Sequence, residues 1–242
     1  MTMFTDQIAV VTGASSGIGK AIALALAQKG ATLCLLGRKL ETLLAIANSI
    51  PASAPLAASF QIDLTLDEDI HKLKARIEQD FGQVDLLVHS AGVISIGQLK
   101  TAAVEDFDWQ YRTNVRAPYA LTQALLPLLI PRRGQIVFIN SSAGLSARAG
   151  VGQYAATKHA LKAIADSLRA EVNADGVRVL SVFPGRTASP MQADVHEIEG
   201  KAYYPDRLLQ PQDVAATVIN ALSLPRSAEV TDISIRPLTK SN

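Results

Sequence analysis

Only one cysteine, Cys34, occurs among the 242 residues, so no internal disulfide can form. This excludes the small secreted scaffolds held by disulfide staples, and a reducing cytoplasm is the expected compartment. Cys34 lies inside the apolar run 33–36 and reads as inert core packing. Histidine is scarce as well. His71, His89, His159 and His196 have no ligand spacing, and neither H-E-x-x-H nor C-x-x-C occurs, so no metal site is expected. Neither sign of charge dominates. Lys plus Arg number 23 and Asp plus Glu 22, and a net charge of +1 argues against a dedicated nucleic-acid or membrane-surface binder. No uninterrupted apolar run approaches the roughly 20 residues of a membrane span, because prolines break the greasiest piece, "ALLPLLIP". The opening "MTMFTDQIAVVTG" has no basic residue before Lys20 and only a short apolar stretch, "IAVV", which argues against a secretory signal.

Apolar material is plentiful: 48% of the residues are hydrophobic, enough for the core of one domain spanning 1–242. Short β-rich runs alternate with longer helical patterns. Strands are expected at 8–11, 32–37, 59–63, 84–90, 135–140, 177–183 and 232–237. Helices are expected at 18–29, 40–50, 104–130, from 152 onward, and at 211–222. Punctuation supports these limits. Gly30 stops the first helix, Pro51 to Pro55 ends the second, and Pro211 opens the last. Thr65 is placed to cap the third helix, with Asp67, Glu68 and Asp69 favoured by the dipole of its first turn. Pro118 is expected to kink the long helix, and Arg132 and Arg133 suit a helix C-terminus. Strands that are apolar on both faces imply a parallel sheet between helical layers, and right-handed crossovers make a doubly wound fold the natural solution. Segment 186–209 is irregular and longer than an ordinary connection, which makes it a candidate substrate loop.

Three stretches carry chemistry. "TGASSGIG" at 12–19 follows the first strand, where a pyrophosphate would meet a helix N-terminus. Its glycines permit a tight turn and close backbone approach; a plain turn is the alternative. At the end of the second strand, "GRK" puts Arg38 and Lys39 where the adenine ribose of a dinucleotide would lie. A guanidinium suits a 2′-phosphate and favours NADP(H) over NAD(H); solvated surface charge is the other reading. In the helix from 152, Tyr154 and Lys158 share one face at i and i+4. A free tyrosine has a pKa of about 10, and a nearby ammonium would draw it toward the working range. The pair alone is common by chance. Ser141, at the end of the fifth strand, changes the odds, because a strand end and the following helix can converge at the carboxyl edge of the sheet.

Together with "QIDLT", "HSAG", "TNV", "INSSAG", "YAATK" and "FPGRTASPM", in order and spacing, these stretches make the chain similar to the short-chain dehydrogenase/reductase family over essentially its full length. The resemblance implies an α/β fold: a single doubly wound, Rossmann-type domain, with a seven-stranded parallel sheet and helices on both faces. It also implies an NADP(H)-dependent oxidoreductase that interconverts a carbonyl and a secondary alcohol. Tyr154 would be the acid/base. Lys158 would lower its pKa and hydrogen-bond the nicotinamide ribose, and Ser141 would hold the substrate oxygen. Asn114 would anchor a water linking Lys158 to solvent. The cofactor would meet Gly13, Ser15, Ser16, Gly17, Ile18 and Gly19 at its phosphates and Arg38 at its ribose. Asp63 and Leu64 would lie around the adenine, Ser90, Ala91 and Gly92 at a close backbone approach, and Pro184, Gly185, Thr187 and Ser189 at the nicotinamide amide. The family's N-N-A-G reads His89-Ser90-Ala91-Gly92 here, without either asparagine, and Ser189 stands where threonine is usual. Segments 93–101, 145–153 and 186–209 would select a small-molecule carbonyl or alcohol. A homo-oligomer, tetramer or dimer, is the expected assembly. A carrier-linked 3-oxoacyl reductase is a second reading. A non-catalytic dinucleotide-binding regulator or scaffold belongs to another class, and it would have no use for Asn114, Ser141, Tyr154 and Lys158 together.

Overall fold

The two-residue alternation of the central strands sets the layers. In the computed structural model, which describes residues 3–51 and 55–238, β1 (Ile8–Thr12) is buried throughout. Ala9 and Val11 join one apolar cluster, while Ile8 and Val10 join another. The same alternation splits β2 (Thr32–Gly37), with Leu33 and Leu35 on the first face and Cys34 and Leu36 on the second. A sheet that is apolar on both faces must be covered twice. Ile22 and Leu26 of α1 (Gly17–Gln28), Leu43 and Ile46 of α2 (Leu40–Ser49) and Val214 and Val218 of α8 (Pro211–Leu222) cover one side. Leu73 and Ile77 of α3 (Asp67–Asp80), Leu121 and Leu125 of α5 (Ala117–Leu129) and Leu161 and Ala165 of α6 (Gly152–Val172) cover the other. Burial pushes the Cys34 thiol up to about 12, so it is inert packing as expected.

The remaining strands are β3 (Ala57–Gln61), β4 (Leu86–His89), β5 (Gln135–Ile139), β6 (Arg178–Pro184) and β7 (Asp232–Ile235). Seven strands pair in the order β3-β2-β1-β4-β5-β6-β7, all parallel. The expected seven-stranded, doubly wound sheet with helices on both faces is therefore present. The order reverses between β1 and β4, and the crevice at the carboxyl ends of those two strands is where such sheets bind ligands.

Several local expectations are corrected. Strand β3 begins two residues before the expected 59, and Asp63 lies beyond it in the loop. Thr65 does not cap α3. The residue before that helix is Leu66, without a side-chain cap, and the Thr65 hydroxyl donates instead to Asp63 Oδ1 at 2.7 Å. The helix expected at 104–130 is interrupted. After α4 (Val104–Tyr111), residues Arg112–Arg116 form a π turn in which the Ala117 N–H reaches back five residues to the Arg112 carbonyl. Pro118, expected as the kink, sits in the first turn of α5 just beyond it, and its lack of an N–H denies the Asn114 carbonyl its usual helical partner. Segment 186–209 is less irregular than its composition implied, because it contains α7 (Pro190–Ile198).

Candidate active site

Thr12 ties the two lips of the crevice together. Its hydroxyl donates to the Val88 carbonyl at 3.3 Å and accepts from the N–H groups of Ser90 at 2.9 Å and Ala91 at 3.0 Å. The loop after β4 is thereby drawn onto the Gly-rich turn after β1. A Cβ on Gly13, where φ is +63°, would come within 2.8 Å of the Ala91 backbone, and one on Gly19 would strike the Gly13 carbonyl. These two glycines are demanded by that closeness. Ser16, at the N-terminus of α1, makes no side-chain cap, so the first-turn N–H groups of that helix have no side chain closing them off.

A cavity of about 770 Å³ opens over this crevice. Its wall includes Gly13, Ser15, Ser16, Gly17 and Ile18 from the turn, Arg38 from the end of β2, and Asp63 and Leu64 from the loop after β3. Ser90, Ala91 and Gly92, then Pro184, Gly185, Thr187 and Ser189, continue it past β4 and β6, and Ser141, Tyr154 and Lys158 complete it. Of the residues expected at the site, Gly19 and Asn114 do not line it. Gly19 lies behind the turn. Asn114 lies behind Gly92, where an added Cβ would be 3.3 Å from Asn114 Oδ1.

The reactive side chains converge from three elements. Ser141 follows β5, where its hydroxyl accepts from the Ala143 N–H at 3.1 Å, and it lines the same cavity as Tyr154. Tyr154 opens α6 and is half-buried. Desolvation by the surrounding protein pushes its phenol up to about 12, with Ser141 opposing that shift. Lys158 is buried one turn later, and burial pushes it down to about 8. Its ammonium lies 5.8 Å from the Tyr154 ring centre and donates to the Ile139 carbonyl at 3.2 Å. Desolvation is the main cause of the upward shift on the phenol, and Ser141 works against it. Asn140 fixes the geometry between these elements. Its Oδ1 accepts from the Ser141 N–H at 2.9 Å, and its Nδ2 donates to the Lys158 carbonyl at 3.1 Å.

Asn114 is buried in the π turn, where its amide is engaged by protein. Oδ1 accepts from the Val93 N–H at 2.8 Å, and Nδ2 donates to the Val93 carbonyl at 2.9 Å and to Thr157 Oγ1 at 3.1 Å. It binds the loop after β4 to α6. His89, in place of an asparagine, is also buried. It stacks on Phe138 with centroids 4.8 Å apart, and its Nε2 meets Thr122 Oγ1 at 2.8 Å. Thr12 and Asn140 were missed as site residues by sequence reasoning, although both stand inside quoted motifs; the bonds of Thr12 to the loop after β4 and of Asn140 to α6 are not carried by spacing. Among the described residues, no group of three or more His, Cys, Asp or Glu could hold a metal ion.

The wall of this cleft fits a dinucleotide. Glycines stand where a Cβ would collide, an uncapped helix start borders it, and Arg38 makes no side-chain hydrogen bond or ion pair among the described residues. A family model described as short chain dehydrogenase matches residues 7–200. The chain belongs to the short-chain dehydrogenase/reductase family. An uncharacterized oxidoreductase of Staphylococcus aureus (strain USA300) is 33% identical over 239 residues, covering 98% of this chain and all of that protein. Among solved structures, an alcohol dehydrogenase from the archaeon Thermococcus sibiricus, complexed with 5-hydroxy-NADP, is 26% identical, with a TM-score of 0.88 and 98% of each chain covered. A metagenomic short-chain oxidoreductase in complex with NADP is 31% identical, with a TM-score of 0.85, covering 99% of this chain and all of that one. This short-chain dehydrogenase is thus an oxidoreductase by family, and among its described residues no helix is long and apolar enough to cross a membrane.

Proposed function

We propose that this short-chain dehydrogenase interconverts a carbonyl and a secondary alcohol with NADP(H), Tyr154 moving the proton. The observation that carries this reading is that Ser141, Tyr154 and Lys158 line one cleft together with Gly13, Ser15, Ser16, Gly17 and Ile18 of the Gly-rich turn. When bound, the nicotinamide supplies or accepts the hydride. Gly13, Ser15, Ser16, Gly17 and Ile18 would hold its phosphates, Arg38 a 2′-phosphate, Asp63 and Leu64 the adenine end, and Pro184, Gly185, Thr187 and Ser189 the amide end. Ser90, Ala91 and Gly92 would bring backbone against it, and Gly19 leaves room for the turn.

A phenol held above its ordinary range stays protonated at neutral pH but is a weaker acid, so Tyr154 needs the charge left on it stabilised when it gives its proton to a carbonyl oxygen. Ser141 orients that oxygen and steadies the charge that develops on it. The Lys158 ammonium favours the phenolate once the proton has left, and Asn114 keeps α6 in register with the loop after β4. NADP(H) is favoured over NAD(H) because Arg38 is free to form a charge-assisted bond with a 2′-phosphate. The NADP-bound relatives agree with this preference. The assembly in this reading is a homo-oligomer.

The test follows nicotinamide absorbance with NADPH or NADH and a panel of carbonyl compounds. Turnover with NADPH should exceed that with NADH. Tyr154→Phe should abolish turnover while cofactor affinity changes little; full activity in that variant would remove Tyr154 from the mechanism. Tight NADPH binding with no turnover on any carbonyl would favour a non-catalytic role.

A further inference from the structure

Six charged side chains line the cleft: Arg38, Asp63, Arg148, Lys158, Arg186 and Glu199. Four of them are satisfied by the protein. Asp63 accepts from Thr65, and Lys158 donates to the Ile139 carbonyl. Arg186 Nη2 meets both Glu199 carboxylate oxygens, at 2.6 and 2.9 Å. Arg38 and Arg148 remain, without a hydrogen-bonded or ion-paired side chain among the described residues. Arg38 belongs to the β2 side of the crevice and faces the dinucleotide's ribose in the reading above. Arg148 belongs to the opposite side, in the segment between β5 and α6 that also carries Ser141.

The backbone at Arg148 is held in place. Its carbonyl accepts from the Val151 N–H at 3.3 Å, closing a turn in which Gly150 has φ +81°. The Gly150 carbonyl in turn accepts from the Gly97 N–H at 2.7 Å, which ties this turn to the loop after β4. Ile94, Ile96, Leu145 and Val151 give the cavity apolar wall in these two segments. Depth orders the groups: Lys158 is buried, Tyr154 half-buried and Arg148 exposed. A substrate with its carbonyl at Tyr154 and an apolar body along this wall would bring its far end to a lone guanidinium. One unpaired guanidinium matches a monoanion that it can bond through two N–H groups, and a carboxylate has that form.

Resting on the proposed carbonyl reduction, we propose that Arg148 binds a substrate carboxylate. The preferred substrates are then oxo acids, or the corresponding hydroxy acids, whose carboxylate is separated from the reacting carbon by an aliphatic spacer.

The experiment measures kcat and KM, with NADPH, for aliphatic oxo acids of increasing spacer length and for their methyl esters. Wild-type enzyme, Arg148→Gln and the remote surface control Arg76→Gln are compared. The wild type should prefer an acid over its ester by about tenfold or more in kcat/KM, mainly through KM. That preference should shrink as ionic strength rises from about 0.01 to 0.15 M, because the guanidinium is exposed. Arg148→Gln should bring the acid-to-ester ratio close to one, and Arg76→Gln should leave it as in the wild type. Equal use of acids and esters by the wild type overturns the role of Arg148 and leaves carbonyl reduction standing. So does an unchanged ratio in Arg148→Gln, or turnover confined to a thioester on an acidic carrier protein. No turnover on any carbonyl overturns both readings.

Discussion

Lys158 and His89 are both buried, and only the lysine keeps a charge near neutral pH. Burial pushes His89 down to about 3, so it stays neutral and spends its polarity on Thr122. Lys158, pushed down to about 8 by the same cause, is still largely an ammonium at pH 7. Both shifts mean that the unfolded chain binds protons more readily than the folded one. For Lys158 the window runs from about 8 to its ordinary value of 10.5, so stability rises with pH through that range, and the cost of the buried charge is fully present below it. Lys158→Met should therefore raise Tm at pH 6–7, and the advantage should narrow as pH climbs past about 8, where wild-type Lys158 itself loses its proton. Thermal melts across pH 6–10 check this; an advantage that grew with pH would contradict the assigned cause. The order of the motifs and the family resemblance, not spacing alone, picked out Tyr154, Lys158 and Ser141 in the sequence, and the structure brings all three into one cleft. The sequence could not supply their protonation, because desolvation depends on what three separate elements pack around them. Nor could it reveal that Asn114 is engaged by Val93 and Thr157, since that requires knowing that a π turn faces the start of α6.

At the scale of elements, α7 is the piece that composition concealed. Ser189 followed by Pro190 is a helix-start signal, and the Ser189 hydroxyl does accept from the Gln192 N–H at 3.2 Å, but nine residues are too few for a clear period. The π turn was hidden for a related reason: one extra residue per turn hardly disturbs an apolar stripe read by eye over 104–130. Strand β2 and helix α8, by contrast, were legible to the residue, because Gly37 and Pro211 mark their ends. The segment carrying α7 is closed at its base by the Ala188 N–H donating to the Leu209 carbonyl at 2.8 Å. It is closed again by Tyr203, whose hydroxyl accepts from the Ser189 N–H at 3.1 Å and donates to the Ser189 carbonyl at 3.3 Å. Tyr203→Phe deletes both bonds at the residue where α7 meets the cleft. Amide hydrogen exchange in 186–199 should accelerate severalfold while that of α1 stays at the wild-type rate. Unchanged exchange in 186–199 would mean that the bridge to Leu209 and the Arg186–Glu199 pair hold the segment without Tyr203.

For the whole molecule, the decisive fact is that the cleft takes residues from the ends of β1, β2, β4, β5 and β6, on both sides of the topological switch. None of those five strands can unfold and leave that cleft intact, so a ligand bound there should stabilise the chain as one unit. The gain is set by mass action. At a free concentration of about 100 times Kd it is about 2.7 kcal/mol. For a domain of this size that corresponds to a rise in Tm of about 5–10 °C. NADPH should therefore shift a single melting transition upward by about that amount, and NADH at the same concentration should shift it less, because Arg38 has no 2′-phosphate to meet. Arg38→Ala should reduce the NADPH shift toward the NADH shift and leave the NADH shift nearly unaltered. Equal shifts by the two cofactors in the wild type would deny Arg38 its role in cofactor choice. Two transitions, of which only one moved with NADPH, would instead show that the halves of the sheet unfold separately, against the single core implied by strands buried on both faces.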